Sequence, residues 1–271
     1  MENIKGKVIL VTGSTDGIGK QTALDLAGMG AEVFIHGRDE KKCKEVVNEI
    51  IESTKNENIK YLHADFSSLE DVKAITDNLK QTYTKLDVLI NNAGTYKNKR
   101  ELTKNEYEMT FAVNHLAPFL LTSELLPLLE KSDYARIVVV SSISHQQGDI
   151  NFNDLMFENG YDAYKAYAQS KLANILFANK LAKNLEGTKI TVNSLHPGVI
   201  NTKLLHMGFD MRGDSVKNGA QTSVYLAASE EIKNVSGKYF VDMKPARVSE
   251  KAENMELQDK LWNASVELCK V

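Results

Sequence analysis

Apolar residues along the chain gather in short, nearly continuous runs: "KVILVT" (7–12), "AEVFIHG" (31–37), "NIKYLHA" (58–64), "DVLINN" (87–92), "RIVVVSS" (136–142), "KITVNSL" (189–195) and "GKYFVD" (237–242). Runs that are rich in β-branched residues and do not alternate with polar ones indicate strands buried on both faces, as in a parallel sheet. The stretches between them have helical length: 17–29, 39–54, 68–83, 104–131, 162–186 and 216–229, with a last one near 250–269. Such alternation predicts an α/β fold, a doubly wound sheet of about seven parallel strands with helices on both faces. No Pro/Gly/Ser-rich linker and no repeat interrupts the rhythm, so residues 1–271 read as one domain.

In such sheets ligands bind beyond the carboxyl ends of the strands. The residues expected on that rim are Gly13–Gly19, Gly37–Arg38, Asp65, Asn91–Gly94, Ser141–Ser142 and Pro197–Gly198, a concentration of Gly, Asn, Ser and Asp on one edge. The first of these, "TGSTDGIGK", follows the first strand and opens the first helix. Its glycines, Gly13, Gly17 and Gly19, let the backbone turn sharply and approach a pyrophosphate, and the helix start offers it free N–H groups. Gly13, Ser14, Thr15, Gly17, Ile18 and Gly19 are therefore the expected phosphate-side contacts. After the second strand the chain reads "IHGRDEKK", with Gly37 where an NAD site would place an acid, followed by Arg38. An arginine can fork a 2′-phosphate that a carboxylate would repel, so the expected cofactor is NADP(H) rather than NAD(H).

Composition narrows the classes without choosing among them. With 42% apolar and 25% charged residues and a net charge of −3, the chain has no nucleic-acid footprint. The richest apolar stretch, "HLAPFLLTSELLPLLE", is broken by Glu and Pro, so no transmembrane segment is expected. "MENIKGK" runs straight into a strand, which gives no signal peptide and a cytoplasmic expectation. Two cysteines and six scattered histidines offer neither a disulfide framework nor metal-ligand spacing, so no metal is expected.

"NGYDAYKAYAQSKLAN" (159–174) contains two Tyr–Lys pairs four residues apart, Tyr161/Lys165 and Tyr167/Lys171. Asp162 is a plausible N-cap, which leaves Tyr161 in a loop before the helix and puts Tyr167 and Lys171 on one helical face. The motifs "TGSTDGIG", "NNAG" (91–94), Asn114, "VVSS" (139–142), "YAQSK" (167–171) and "HPG" (196–198) together resemble the short-chain dehydrogenase/reductase family across almost the whole chain. "NHLAPFLLT", "YAQSKLANILFA" and "GKYFVDMKPA…LW" resemble its retinol-dehydrogenase-like branch. That resemblance implies a Rossmann domain, a nicotinamide cofactor and a site made of Tyr167, Lys171, Ser142 and Asn114. It selects Tyr167 over Tyr161 and Ser142 over Ser141, a choice that local physics cannot make for the serines.

A phenol with a pKa near ~10 is a poor base at neutral pH, and lowering it about three units takes ~4 kcal/mol. An ammonium at ~4 Å supplies about that much at an effective dielectric of ~20, so Lys171, helped by the positive charge of an oxidised nicotinamide, is expected to bring Tyr167 down. Ser142 would hydrogen-bond the substrate oxygen. Pro118 has no N–H for the carbonyl of Asn114, four residues earlier, and that carbonyl could hold a water leading from Lys171 to solvent.

By resemblance, Asp65 and Phe66 lie beside the adenine, Asn92, Ala93 and Gly94 wall the cofactor pocket, and Pro197, Gly198, Val199 and Thr202 form the nicotinamide-side loop. "QQGDINFNDLMFENG" would be a loop by the active site. "LLHMGFDMRGDS" reads as part of a substrate lid, about 198–218, with an apolar inner face.

The resulting expectation is an oxidoreductase moving hydride between NADP(H) and a small-molecule carbonyl or alcohol, an apolar aldehyde or ketone. The alternative is an NADP(H)-binding sensor or regulatory module with little turnover. The resemblance also implies a homodimer or homotetramer through the long helices.

Overall fold

The computed structural model describes residues 4–209 and 211–271; Asp210 of the expected lid and the first three residues lie outside the described residues. Among the described residues, eight strands form one sheet: β1 (Val8–Val11), β2 (Glu32–Gly37), β3 (Ile59–His63), β4 (Val88–Asn91), β5 (Ala135–Val140), β6 (Ile190–His196), β7 (Tyr239–Val241) and β8 (Lys244–Ala246). Their order is β3-β2-β1-β4-β5-β6-β7-β8, parallel through β7. The order reverses between β1 and β4, the switch point where such sheets open a ligand crevice.

Residue parity on each strand decides which helices it meets. Ile9, Val11, Val33, Ile35, Val88, Ile90, Val138, Val140 and Leu195 face the helices Gly17–Gly28, Glu40–Thr54 and Val216–Ala228. Val8, Leu10, Phe34, Leu89, Ile137, Val139 and Val192 face the opposite layer, built from Leu69–Thr82, Met109–Leu129, Ala163–Asn184 and Met255–Cys269. Both faces are covered, which is why the strands read as continuous apolar runs.

Three expectations need correction. The sheet has an eighth strand, antiparallel to β7. Its turn residues Asp242 and Met243 both have positive φ (49° and 61°), the geometry of a tight hairpin, yet neither is the glycine or asparagine that announces one. Pro245 sits on this edge strand, the place in a sheet where proline is tolerated. The helix expected at 104–131 begins only at Met109, because Glu108 is its N-cap: the buried carboxylate accepts the N–H groups of Thr110 (2.8 Å) and Phe111 (2.7 Å). This 21-residue helix is long and apolar enough to cross a membrane, but its most apolar window is 72% buried among neighbouring elements. Its apolar surface therefore belongs to the core. Finally, the helix expected at 250–269 is two, Glu250–Glu253 and Met255–Cys269, divided at Asn254, which caps the second.

Candidate active site

The glycine loop is held to its neighbours by side chains bonded to backbone. The Thr12 hydroxyl accepts the N–H groups of Asn92 (2.9 Å) and Ala93 (3.0 Å), and the Asn92 amide donates to Thr12 O (2.8 Å) and Gly13 O (3.2 Å). Much of "NNAG" is thus a brace between β4 and the loop. Gly13 has φ +62° and a Cβ there would lie 2.7 Å from Ala93 Cα; at Gly19 it would lie 2.4 Å from Gly13 O. Ser14 is fully buried, donating to Val11 O (2.6 Å) and accepting the His36 N–H (2.8 Å), so its hydroxyl shapes the loop and only its backbone neighbours remain open. Thr15 and Ile18 are half-buried. Asp16 caps the helix Gly17–Gly28, and a cavity of about 410 Å³ opens there between Gly17, Gln21 and, from the segment after β6, Thr202 and Lys203.

At the end of β2 the space is tight. A Cβ on Gly37 would lie 2.5 Å from Thr15 Cγ2 and 3.1 Å from Cys43 Sγ. Arg38 is exposed beside it. His36, which sequence reading passed over, accepts the Gly13 N–H at Nδ1 (3.1 Å) and donates from Nε2 to Ala64 O (3.2 Å). Complete burial pushes its pKa down to about 4, so it stays neutral. Phe66 does not offer its ring to a ligand: it is buried and stacked on His36 at 4.1 Å. Asp65 is half-buried and accepts the Ser67 N–H (2.9 Å).

Across the crevice, Tyr167 and Lys171 lie within the helix Ala163–Asn184, whose N-cap Asp162 accepts the Lys165 N–H at 2.9 Å. Both are buried. Burial pushes the Tyr167 phenol up to about 12, opposed by a hydrogen bond with Ser142. Burial also brings Lys171 down to about 8. Its Nζ donates to Val140 O (3.3 Å) and lies 5.5 Å from the centroid of the Tyr167 ring. Lys171 thus sits beside the Tyr167 ring, and in the protein alone burial outweighs what lowers the phenol's pKa.

The two serines are separated by their partners. Ser141 donates to the carbonyl of Lys171 (2.7 Å), which ties β5 to the helix, whereas Ser142 is the one that meets Tyr167. Ser142 also caps the short 3₁₀ helix Ile143–Gln147, accepting the Ser144 N–H at 3.2 Å. Asn114 is fully buried: its amide donates to Thr95 O (3.0 Å) and Ser170 Oγ (2.9 Å), and its Oδ1 accepts the Thr95 N–H (2.7 Å). Around it the helix widens into a π segment, Ala112–Leu116, with the Ala117 N–H reaching back to Ala112 O, just before donor-less Pro118. At exposed Gly94 a Cβ would lie 3.5 Å from Asn114 Oδ1 and 3.6 Å from Lys171 Nζ, so open backbone borders the pair.

The segment after β6 folds over the tyrosine. Pro197 and Gly198 (φ +95°) turn the chain, Val199 is exposed, and Thr202 caps the helix Lys203–Gly208 by accepting the Leu205 N–H (3.3 Å). Phe209 then packs among Tyr96 (centroids 5.5 Å apart), Tyr164 (6.0 Å) and Tyr167 (6.1 Å). Lys203 pairs with Asp16 at 2.6 Å, and Lys42 approaches the same carboxylate at 3.4 Å, holding Asp16 below its usual pKa. Tyr96, Tyr164 and Phe209 were not singled out from the sequence, where nothing distinguishes them from core aromatics. The inserted loop 146–160 closes the outer side, its Leu155 carbonyl held by Gln169 (3.0 Å).

Tyr167, Lys171, Ser142 and Asn114 therefore converge on one side of the crevice, while Arg38 and Asp65 stand at the ends of β2 and β3 on the other. The family described as short chain dehydrogenase matches residues 7–212. Retinol dehydrogenase 12 of Mus musculus is 41% identical over 274 residues, covering 98% of this chain and 87% of that protein. The solved structure of an uncharacterized protein from Mycobacterium paratuberculosis superposes with a TM-score of 0.85 at 29% identity, covering 100% of this chain and 96% of that one. A short-chain dehydrogenase from Escherichia coli CFT073, complexed with NADPH, gives a TM-score of 0.75 at 26% identity, covering 90% and 100%. The chain belongs to the short-chain dehydrogenase family of nicotinamide-dependent oxidoreductases, on its retinol-dehydrogenase-like branch.

Proposed function

We propose that the protein is an NADP(H)-dependent carbonyl reductase acting on apolar aldehydes or ketones, with Tyr167 as proton donor. The observation that carries this reading is a buried phenol, its pKa pushed up to about 12, lying beside Ser142 with the Lys171 ammonium 5.5 Å from the centre of its ring. A phenol held neutral at physiological pH is suited to giving a proton to a carbonyl oxygen. Ser142 donates a second hydrogen bond to that oxygen, which strengthens as negative charge develops there. Lys171, still largely protonated at neutral pH, stabilises the phenolate left behind. A nicotinamide held there would supply the hydride. Gly13, Gly17 and Gly19 would hold its pyrophosphate, with open backbone at Gly94 beside the reacting end.

NADP(H) is favoured by Arg38 and by the crowding at Gly37, where a side chain carrying an NAD-type carboxylate would collide with Thr15. The NADPH in the Escherichia coli relative supports the same choice. The apolar substrate class is supported by Phe209, Tyr96 and Tyr164 around Tyr167.

The test is NADPH oxidation over a panel of aldehydes and ketones. Wild-type turnover that vanishes in Tyr167→Phe supports the reading; NADPH binding with no turnover on any carbonyl supports a sensor instead. Arg38→Ser should weaken NADPH binding by about tenfold or more, the size of a charge-assisted hydrogen bond, and leave NADH binding unchanged.

A further inference from the structure

His145 lies one turn beyond Ser142 and is completely buried. Both ring nitrogens are engaged, and together they fix its tautomer. Nδ1 lies 2.7 Å from the carbonyl oxygen of Ser142, which can only accept, so Nδ1 carries the hydrogen. Nε2 lies 3.3 Å from the backbone nitrogen of Ser249, which can only donate, so Nε2 carries the lone pair. A neutral imidazole satisfies both contacts and an imidazolium satisfies one. The ring is clamped edge-on against Tyr239 of β7, with centroids 5.0 Å apart. The same Ser142 carbonyl also accepts the His145 N–H at 3.2 Å. One residue thus grips the serine's main chain twice.

The far end of this connection comes from the part of the fold that the sequence pattern did not reveal. The β7–β8 hairpin turns the chain back along the sheet edge, and Ser249 follows three residues after β8. Ser249 has φ −66°, and its hydroxyl is buried without a hydrogen-bond partner, so its side chain explains neither its position nor its contact. Its backbone N–H is what His145 uses.

We propose that His145 is the positioning residue for Ser142, and that it makes the C-terminal hairpin a support of the active site by joining Ser249 to the serine's carbonyl. The proposal rests on the reductase reading above, in which Ser142 donates to the substrate oxygen. A hydrogen bond to developing charge depends on the donor's aim, so a loosened Ser142 loses transition-state stabilisation more than ground-state binding. The signature is a fall in kcat with KM for the carbonyl and Kd for NADPH little changed.

Two amides separate the two ends of the imidazole. In His145→Asn the amide nitrogen falls near Nδ1 and can still donate to Ser142; in His145→Gln the longer side chain reaches toward Nε2 and the Ser249 end. His145→Asn keeps the bond to Ser142 but gives up the one to Ser249, so it should lose only severalfold in kcat, as Ser249→Pro does, while His145→Gln and His145→Ala should lose about tenfold to a hundredfold, up to the effect of removing an oxyanion donor. A second variant avoids the buried ring: Ser249→Pro suits the observed φ and deletes the N–H donor, together with a hydroxyl that has no partner. It should lower kcat severalfold at unchanged NADPH affinity.

Wild type and Ser142→Ala are run alongside. If wild type turns over, Ser142→Ala is impaired, and His145→Asn and His145→Gln are equal in kcat, this inference is overturned while the reductase reading stands. Equal losses in stability and NADPH affinity across all His145 variants would mark a packing residue and overturn it as well. If wild type turns nothing over, the reductase reading fails first and takes this inference with it.

Discussion

Two Tyr–Lys pairs lie six residues apart in this chain with identical spacing, and the fold gives them opposite surroundings. Tyr161 stands before the N-cap Asp162 and Lys165 is exposed; Tyr167 and Lys171 lie inside the helix and are buried. Burial pushes both phenols up to about 12, so a displaced pKa does not tell them apart. Their partners do. Tyr161 donates to the carbonyl of Lys97 (2.9 Å) and approaches the carboxylate of Glu108 (3.3 Å), groups that occupy its hydroxyl within the structure. Tyr167 meets Ser142, a hydroxyl at the crevice, with a buried ammonium alongside. Spacing proposes a pair, and the groups waiting at its hydroxyl decide whether it does chemistry.

The largest effect should come from removing the phenol hydroxyl that faces the crevice. Tyr167→Phe is expected to lower kcat by about 10²–10⁴-fold, the range for a general acid, while NADPH affinity measured by fluorescence titration stays near wild type. A Tyr167→Phe enzyme with unimpaired turnover would return Tyr161 to consideration.

Next is Lys171→Met, which should separate stability from activity. With its pKa brought down to about 8 from the usual lysine range, the buried ammonium costs the folded state about 3 kcal/mol at neutral pH by linkage. Replacing it by an apolar side chain of similar length should raise the unfolding free energy by up to that amount and abolish most turnover. Lys165→Met should do neither.

The same displacement sets a pH window. Below about pH 8 the lysine is charged in both states and its burial cost is fully present. Between about 8 and the unfolded lysine's value the unfolded chain binds more protons than the folded one, so stability should rise with pH. Raised tyrosine pKa values act the other way: above the ordinary phenol value near ~10 the unfolded chain ionises first, and Tyr161 and Tyr167 should make stability fall. Chemical denaturation at pH 7, 9 and 11 should show the rise in wild type and its absence in Lys171→Met.

Much of this architecture is legible in the sequence. Strands buried on both faces leave continuous apolar runs, so β1 to β7 are visible there, and Gly13, Gly17 and Gly19 announce the loop that follows β1. The misses have specific causes. β8 is three exposed residues containing Pro245, joined by a turn whose Asp242 and Met243 take positive φ without glycine. Glu108 as an N-cap is hidden because a glutamate before an apolar run reads as the helix itself. That the side chains of Ser14 and Phe66 point into the fold, leaving only their backbone to face a cofactor, is also something spacing does not record. Tyr167's neighbours Tyr96 and Phe209 come from distant segments, so their meeting exists only in three dimensions. Where the Lys171 ammonium lies against the tyrosine ring is likewise not in the sequence, because a four-residue spacing fixes a shared face and leaves the reach of a long side chain open.

The smallest effect is the other half of the comparison, and it tests whether Tyr161 belongs to the support of the site. Its hydrogen bond to Lys97 O fixes the segment that carries Tyr96, whose ring lies 5.5 Å from that of Tyr167. Tyr161→Phe removes one hydroxyl and leaves the Lys97 carbonyl half-buried, so it should cost about 1 kcal/mol of stability. The Glu108 carboxylate keeps its two N–H donors from the helix start, which should hold the fold together. With the ring still packed on Phe157 at 6.0 Å, Tyr96 should shift little and kcat should stay within about threefold of wild type, under ~1 kcal/mol on the barrier. A large loss of kcat in Tyr161→Phe, with Tyr167 intact, would mean that the Lys97–Tyr96 segment transmits to the chemistry, and that the two tyrosines are parts of one site.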